Sequence, residues 1–234
     1  MTTESTSNPP PPPPSGPISA PPSGPIADDF FSIPKPKNAY RVFIYGEAKQ
    51  GKTTFAASAP KPVIIDTEGG AGLMPVPSRR VRTWAETRQA LTKARELIQA
   101  GVFETLVIDS LDWLLEHFKT DVVQGWNKAK PDKQVKEYGA IPYGGGSMIL
   151  QNRLQGFFTN LDRMYDAYGC NIILTAHAET YNKPNPAGEN YLFVGPKGSG
   201  SGKAESSIGR LAIQHSQVIG YLHQQVTVQD GGFG

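Results

Sequence analysis

The sequence predicts an α/β fold, a mainly parallel β-sheet with crossover helices, preceded by a disordered proline-rich tail. Three observations predict it. Short apolar or β-branched runs recur at residues 42–44, 62–65, 105–108 and 172–174, each followed within two residues by Gly, Asp or Thr. Longer segments with apolar residues at helical spacing separate them, and strands alternating with helices read as a parallel sheet. Between the first run and the first helical segment stands Gly46-Glu47-Ala48-Lys49-Gln50-Gly51-Lys52-Thr53, followed by Thr54. This is the pattern G-x-x-x-x-G-K-T.

Each part of that pattern has a physical job. Val42, Phe43 and Ile44 plant the loop at the edge of a sheet. Gly46 and Gly51 allow backbone conformations closed to residues with a Cβ, so that the N–H groups of Glu47 to Lys52 curl around phosphate oxygens. Lys52 supplies a compact positive charge, and the Thr53 hydroxyl is a Mg²⁺ ligand. The helix starting near Lys52 turns its positive end to the same anion. The stretch implies a nucleoside triphosphate site, with ATP and Mg²⁺ as the expected ligands.

Composition narrows the rest. A length of 234 residues fits one ordinary domain plus extensions. The net charge of +2 provides no global field for nucleic acid or a membrane, so any such contact must be local. The single cysteine, Cys170, excludes a disulfide framework within one chain and fits a reducing, cytoplasmic setting. No apolar run reaches the ~18 residues of a membrane span, and the N-terminus lacks a secretory layout.

Residues 1–33 form the expected disordered tail, with Pro9 to Pro14 unbroken, and 34–234 the expected ATPase domain. The tail reads as a solvated tether rather than a proline-motif ligand. Asp28-Asp29-Phe30-Phe31 within it suits docking on a partner or on the domain itself. After the phosphate loop, a helix to Ser58 precedes Lys61-Pro62-Val63-Ile64-Ile65-Asp66, a strand closing on Asp66 and Glu68. Side chains at the carboxyl ends of strands converge on the ligand crevice of an open α/β sheet. Glu68 there is placed to polarise a water; a turn acid with local hydrogen bonds is the plainer reading. Residues 79–83 are a short β-compatible piece. Thr83 and Glu86 read as a capping box opening a helix that Gly101 stops.

The next strand, Thr105 to Ile108, ends in Asp109, expected to hold Mg²⁺ through water. Ser110 is a possible helper, whereas Asp112 reads as helix-terminus chemistry. Leu111, Leu114, Leu115, Phe118 and Val122 form a helical core stripe. Periodicity lapses from Gln124 to Gly146, where Lys128, Lys130, Lys133 and Lys136 interleave with Trp126, Tyr138 and Tyr143. Two readings fit: a surface for single-stranded nucleic acid, or a solvated loop. Ser147 opens a long helix with Leu150, Leu154, Phe157, Phe158, Leu161, Tyr165 and Tyr168 on one face. A strand from Cys170 then ends near Thr175 and His177. His177 there is either a γ-phosphate sensor or a structural hydrogen-bonder. Residues 181–207 read as a second mobile loop, carrying Lys197, Lys203 and Arg210 towards DNA or a neighbour's phosphates. Its Gly-Ser-Gly-Ser-Gly-Lys run lacks the first phosphate-loop glycine, since position 197 is lysine. Val218 to Leu222 and Val226 to Val228 read as closing strands. The abrupt end at Gly234 reads as a shortened chain or a fragment.

In order, GEAKQGKTT, IIDTEGG, LVIDS and IILTAHAE resemble the RecA/RadA-like branch of phosphate-loop ATPases. The resemblance is to short phage-encoded ATP-binding proteins grouped with single-strand annealing recombinases, over about Lys37 to Leu222. It implies a RecA-like core in which Glu68 is the base for water, Asp109 holds Mg²⁺ through water and His177 takes the sensor position, where RecA has glutamine. Residues 128–143 and 184–207 fall where such proteins place DNA-binding loops. It further implies DNA-stimulated ATP hydrolysis in phage recombination or annealing, single-stranded DNA as partner, a single-strand-binding protein as a second one, homo-oligomers, and the host cytoplasm as the setting. Two rivals stay open: a helicase-loader or packaging-type ATPase switch working on duplex DNA or a protein, and a small-molecule kinase. A nucleotide-binding adaptor without turnover is a third.

Overall fold

The computed structural model describes residues 38–199 and 207–224. The tail, the Asp28–Phe31 cluster, Lys203 and the expected strand Val226–Val228 lie outside the described residues.

The elements are β1 (Arg41–Gly46), α1 (Lys52–Ala57), β2 (Pro62–Asp66), β3 (Ser78–Arg80), α2 (Trp84–Gln99), β4 (Thr105–Asp109), α3 (Leu111–Ala129), α4 (Gly145–Tyr168), β5 (Asn171–Lys183), β6 (Tyr191–Pro196), α5 (Ser207–His215) and β7 (Val218–Leu222). The strands order as β3-β2-β4-β5-β1-β7, and all five neighbouring pairs run parallel. β6 pairs antiparallel with the outer half of β5. The α/β, mainly parallel architecture of a phosphate-loop NTPase core is therefore present.

Strand side chains alternate between faces, so the sheet separates two apolar layers. Phe43, Ile65, Leu106, Ile108, Ile172 and Leu174 pack on one face against α2, α3, α4 and α5. Ile64, Val107 and Ile173 pack on the other against Ala56 of α1 and Ala71. The expected stripe of α3 is buried in full, as is that of α4 up to Tyr165; Tyr168 is exposed. At the start of α2 the Thr83 hydroxyl accepts from Glu86 N at 3.1 Å, but Glu86 reaches back to Arg82 N rather than Thr83 N. Gly101 ends α2 in the left-handed region at φ +73°.

Two expectations about loops are corrected. α3 does not lapse at Gln124 but continues to Ala129. Trp126 packs against the core and gives its Nε1–H to Lys133 O, while the Asn127 amide brackets Val135 through both its N–H and its carbonyl. These contacts sustain the last turn where periodicity faded. The segment after Tyr181 is not a loop throughout: β5 runs on to Lys183, and Tyr191–Pro196 pairs back onto Ala178–Lys183. The turn residues of 184–190 let the apolar run 191–194 find a strand partner.

Candidate nucleotide-binding site

Register brings the site together. Gly46 lies opposite His177 across β1 and β5, and Asp66 opposite Asp109 across β2 and β4. The carboxyl ends of four adjacent strands thus share one edge, which is the ligand edge of an open α/β sheet.

The phosphate loop spans Gly46 to Thr54. Gly51 has φ +85°, as expected of a left-handed turn position. Gly46 is glycine for a different reason: a Cβ there would strike the carbonyl oxygen of Leu222, so its absence lets β7 approach β1. Glu47, Ala48, Lys49 and Thr54 are exposed and Gln50 half-buried. α1 has only six residues, so anion binding rests on loop N–H groups and Lys52 more than on the helix dipole. Lys52 is buried and its Nζ donates to Gly46 O at 3.0 Å and Glu47 O at 2.7 Å. Burial pushes its ammonium below the ordinary lysine value, while Glu68, Asp109 and Asp112 pull it back up.

Thr53 Oγ1 donates to Asp109 Oδ2 at 2.6 Å, and Thr175 Oγ1 to Asp109 Oδ1 at 2.5 Å. Asp109 is 2% exposed. This donor set of hydroxyl and carboxylate oxygens fits Mg²⁺, a hard cation that takes oxygen ligands and keeps several waters. Among the described residues no group of three or more His, Cys, Asp or Glu is arranged to hold a metal ion, so Thr53 and Asp109 would hold the ion together with water and phosphate oxygens.

The loop after β2 is stitched to the end of β4. Thr67 Oγ1 donates to Ser110 O at 2.7 Å and accepts from Ser110 N at 2.8 Å, and Thr67 N donates to Asp109 O. Asp66 does not join Glu68 in a carboxylate pair. It is buried and accepts from the N–H groups of Glu68, Gly69 and Ala71, which shapes the turn that presents Glu68. Glu68 is 37% exposed and lies 3.6 Å from His177 Nε2 and 3.4 Å from Ser110 Oγ. Asp112, expected to serve only the helix terminus, accepts from both His177 N (2.8 Å) and His177 Nδ1 (2.7 Å). Glu68, Asp112 and His177 open onto a cleft of about 610 Å³ that Lys197 also borders.

The other cations scatter. Lys128 sits in the last turn of α3, and Lys130, Lys133 and Lys136 follow it, all exposed. Of the aromatics among them, Trp126 and Tyr138 are half-buried against the core; Tyr143 alone is fully exposed. Arg210 is exposed on α5, and Lys197 N donates to His177 O at 2.7 Å. The β5–β6 hairpin adds Lys183, Tyr191 and Phe193, which the sequence reading did not single out; Lys183 Nζ lies 4.0 Å from the Phe193 ring centre. No helix among the described residues is long and apolar enough to cross a membrane.

No curated protein matches the chain. A family described as AAA domain matches residues 38–225, from the residue before β1's approach to beyond β7. With its phosphate loop, strand-end acids and parallel sheet, the chain belongs to this AAA-domain family of phosphate-loop NTPases, a family of nucleotide-binding ATPases.

Proposed function

We propose that the protein is a RecA-like ATPase that couples ATP hydrolysis to single-stranded DNA in phage recombination or annealing. The observation that carries the ATPase reading is the Thr53–Asp109 contact with Glu68 on the same strand-end edge. Loop N–H groups and Lys52 hold the triphosphate. Glu68 orients a water and takes its proton as the water oxygen attacks the γ-phosphorus; the bond to the bridging oxygen breaks and ADP leaves. A Mg²⁺ held by Thr53 and Asp109 would draw charge from the phosphate oxygens.

The DNA reading is supported by β5, which runs without a break from His177 at the site into the hairpin carrying Lys183, Tyr191 and Phe193. Lysines and exposed rings suit a single strand, the cations following phosphate and the rings stacking bases. Lys128, Lys130, Lys133, Lys136, Lys197, Lys203 and Arg210 remain the proposed further contacts. A homo-oligomer and a single-strand-binding protein are proposed partners. The test is ATP turnover with Mg²⁺, with and without single-stranded DNA, across a salt series. Stimulation that fades as salt rises supports the proposal; ATP binding with no response to DNA overturns it.

That second outcome would favour a helicase-loader or packaging-type switch working on a protein. The exposed Leu192 and Val194 on β6 are the observation that favours this reading, because apolar side chains on a projecting strand suit a protein surface.

A further inference from the structure

Asp112 is the second residue of α3, and its side chain is 7% exposed. One oxygen, Oδ2, accepts from His177 N, from His177 Nδ1 and from Ser110 Oγ at 3.3 Å. An ionised carboxylate only accepts, so the proton of the contact with the ring sits on His177 Nδ1. The other ring nitrogen, Nε2, is thereby the one turned to Glu68 Oε1. Ser110 has a single hydroxyl proton between Glu68 and Asp112, so it serves one carboxylate at a time.

We propose that Asp112 is a positioning residue for Glu68, acting through His177. It holds the ring with Nδ1–H on Asp112, so that the imidazolium presents Nε2–H to Glu68 and keeps that carboxylate paired until the ring loses its proton or the substrate's phosphate oxygens draw it away. The inference rests on the proposed role of Glu68 in turnover.

The electrostatics agree with the geometry. The His177 pKa lies above the ordinary histidine value: the hydrogen bond to Asp112 is the largest cause, the charges of Asp112 and Glu68 add to it, and burial and Lys52 oppose it. The other charged groups around the cleft are Glu116 and Lys119 on α3, Glu179 on β5 and Lys197 after β6. Below its pKa the imidazolium pairs with Glu68 and keeps it from acting on water. As pH rises through that pKa, Nε2 loses its proton, the pair ends and Glu68 is free to act on water. Turnover should therefore climb with pH through the His177 titration.

The test uses the full chain labelled with ¹⁵N at its four histidines. Long-range ¹H–¹⁵N spectra are followed against pH, and His177 is identified as the signal missing from His177→Gln. The expected result is a neutral form protonated at Nδ1 and a His177 pKa that falls in Asp112→Asn, which keeps an acceptor oxygen but loses the charge. Glu68→Gln should lower it as well, so the inference stays testable if Asp112→Asn does not fold. The rising limb of ATP turnover against pH should move to lower pH in Asp112→Asn by the same amount. A neutral form protonated at Nε2, a His177 titration indifferent to Asp112→Asn, or a shifted titration with an unshifted turnover limb would each overturn the proposal. Wild-type protein that hydrolyses no ATP at any pH would overturn the role of Glu68 instead, while the spectra still decide whether Asp112 fixes the ring.

Discussion

Thr53 and Asp109, 56 residues apart in the sequence, meet at 2.6 Å, hydroxyl to carboxylate. The contact joins the phosphate loop to the end of a strand two places away in the sheet, with β5 between β1 and β4. The two oxygens proposed to hold a hard cation are thus brought together by the sheet rather than by a local loop.

Removing either partner should uncouple nucleotide binding from the metal. Thr53→Ala and Asp109→Asn are expected to weaken ATP binding about tenfold or more in Mg²⁺, and to change it little in EDTA. Calorimetric titration under both conditions reads the difference.

Gly46→Ala should destabilise the fold, because its methyl group meets the Leu222 carbonyl and backbone cannot rotate aside. The expected cost is about 1–3 kcal/mol, measured as a lower urea midpoint at unchanged slope. Gly72→Ala, with open space around it and no left-handed φ, is the control and should unfold as wild type does.

Thr67 should matter for both stability and turnover. Its hydroxyl satisfies the buried N–H and C=O of Ser110, and Thr67→Val leaves both without that partner at a cost of about 1–3 kcal/mol. Thr67→Ser keeps the hydroxyl and should restore urea stability and ATP turnover together.

His117 gives a pH signature of its own. It is 8% exposed between α2 and α3, and burial lowers its pKa below the ordinary value despite the pull of Glu86 and Glu116. The unfolded chain therefore binds more protons than the folded one as pH falls below ~6.5, and stability drops with it. Urea midpoints measured from pH 8 to pH 5 should fall more steeply for wild type than for His117→Gln. His177, with its raised pKa, contributes in the opposite sense: its contribution is present below ~6.5 and lost as pH rises through its folded pKa.

Lys52, Thr53 and Asp109 were legible in the sequence because their types and spacing follow from the chemistry of a phosphate site on a strand–loop–helix corner. Glu68 was legible as a strand-end acid. Asp66 was not separable from it, because a carboxylate that caps three N–H groups and one that faces solvent read alike. Asp112 was hidden by the general use of acids in a helix's first turn. Only the fold shows that His177, 65 residues later, returns to it. β6 escaped notice because prolines, asparagine and glycine before it dominate the local pattern, although four apolar residues follow. The end of α3 was obscured by Gly125 and the lysines, and is held by the tertiary contacts of Trp126 and Asn127.

The central claim is that Lys52 binds the triphosphate while Glu68 acts only in its hydrolysis. The most direct measurement is ATP binding and steady-state turnover, side by side, for wild type, Lys52→Ala and Glu68→Gln. The account predicts that Lys52→Ala loses binding, whereas Glu68→Gln binds ATP as wild type does and loses turnover by a factor of about a hundred or more. Glu68→Gln hydrolysing ATP at the wild-type rate, or losing binding to the same extent as Lys52→Ala, would contradict it.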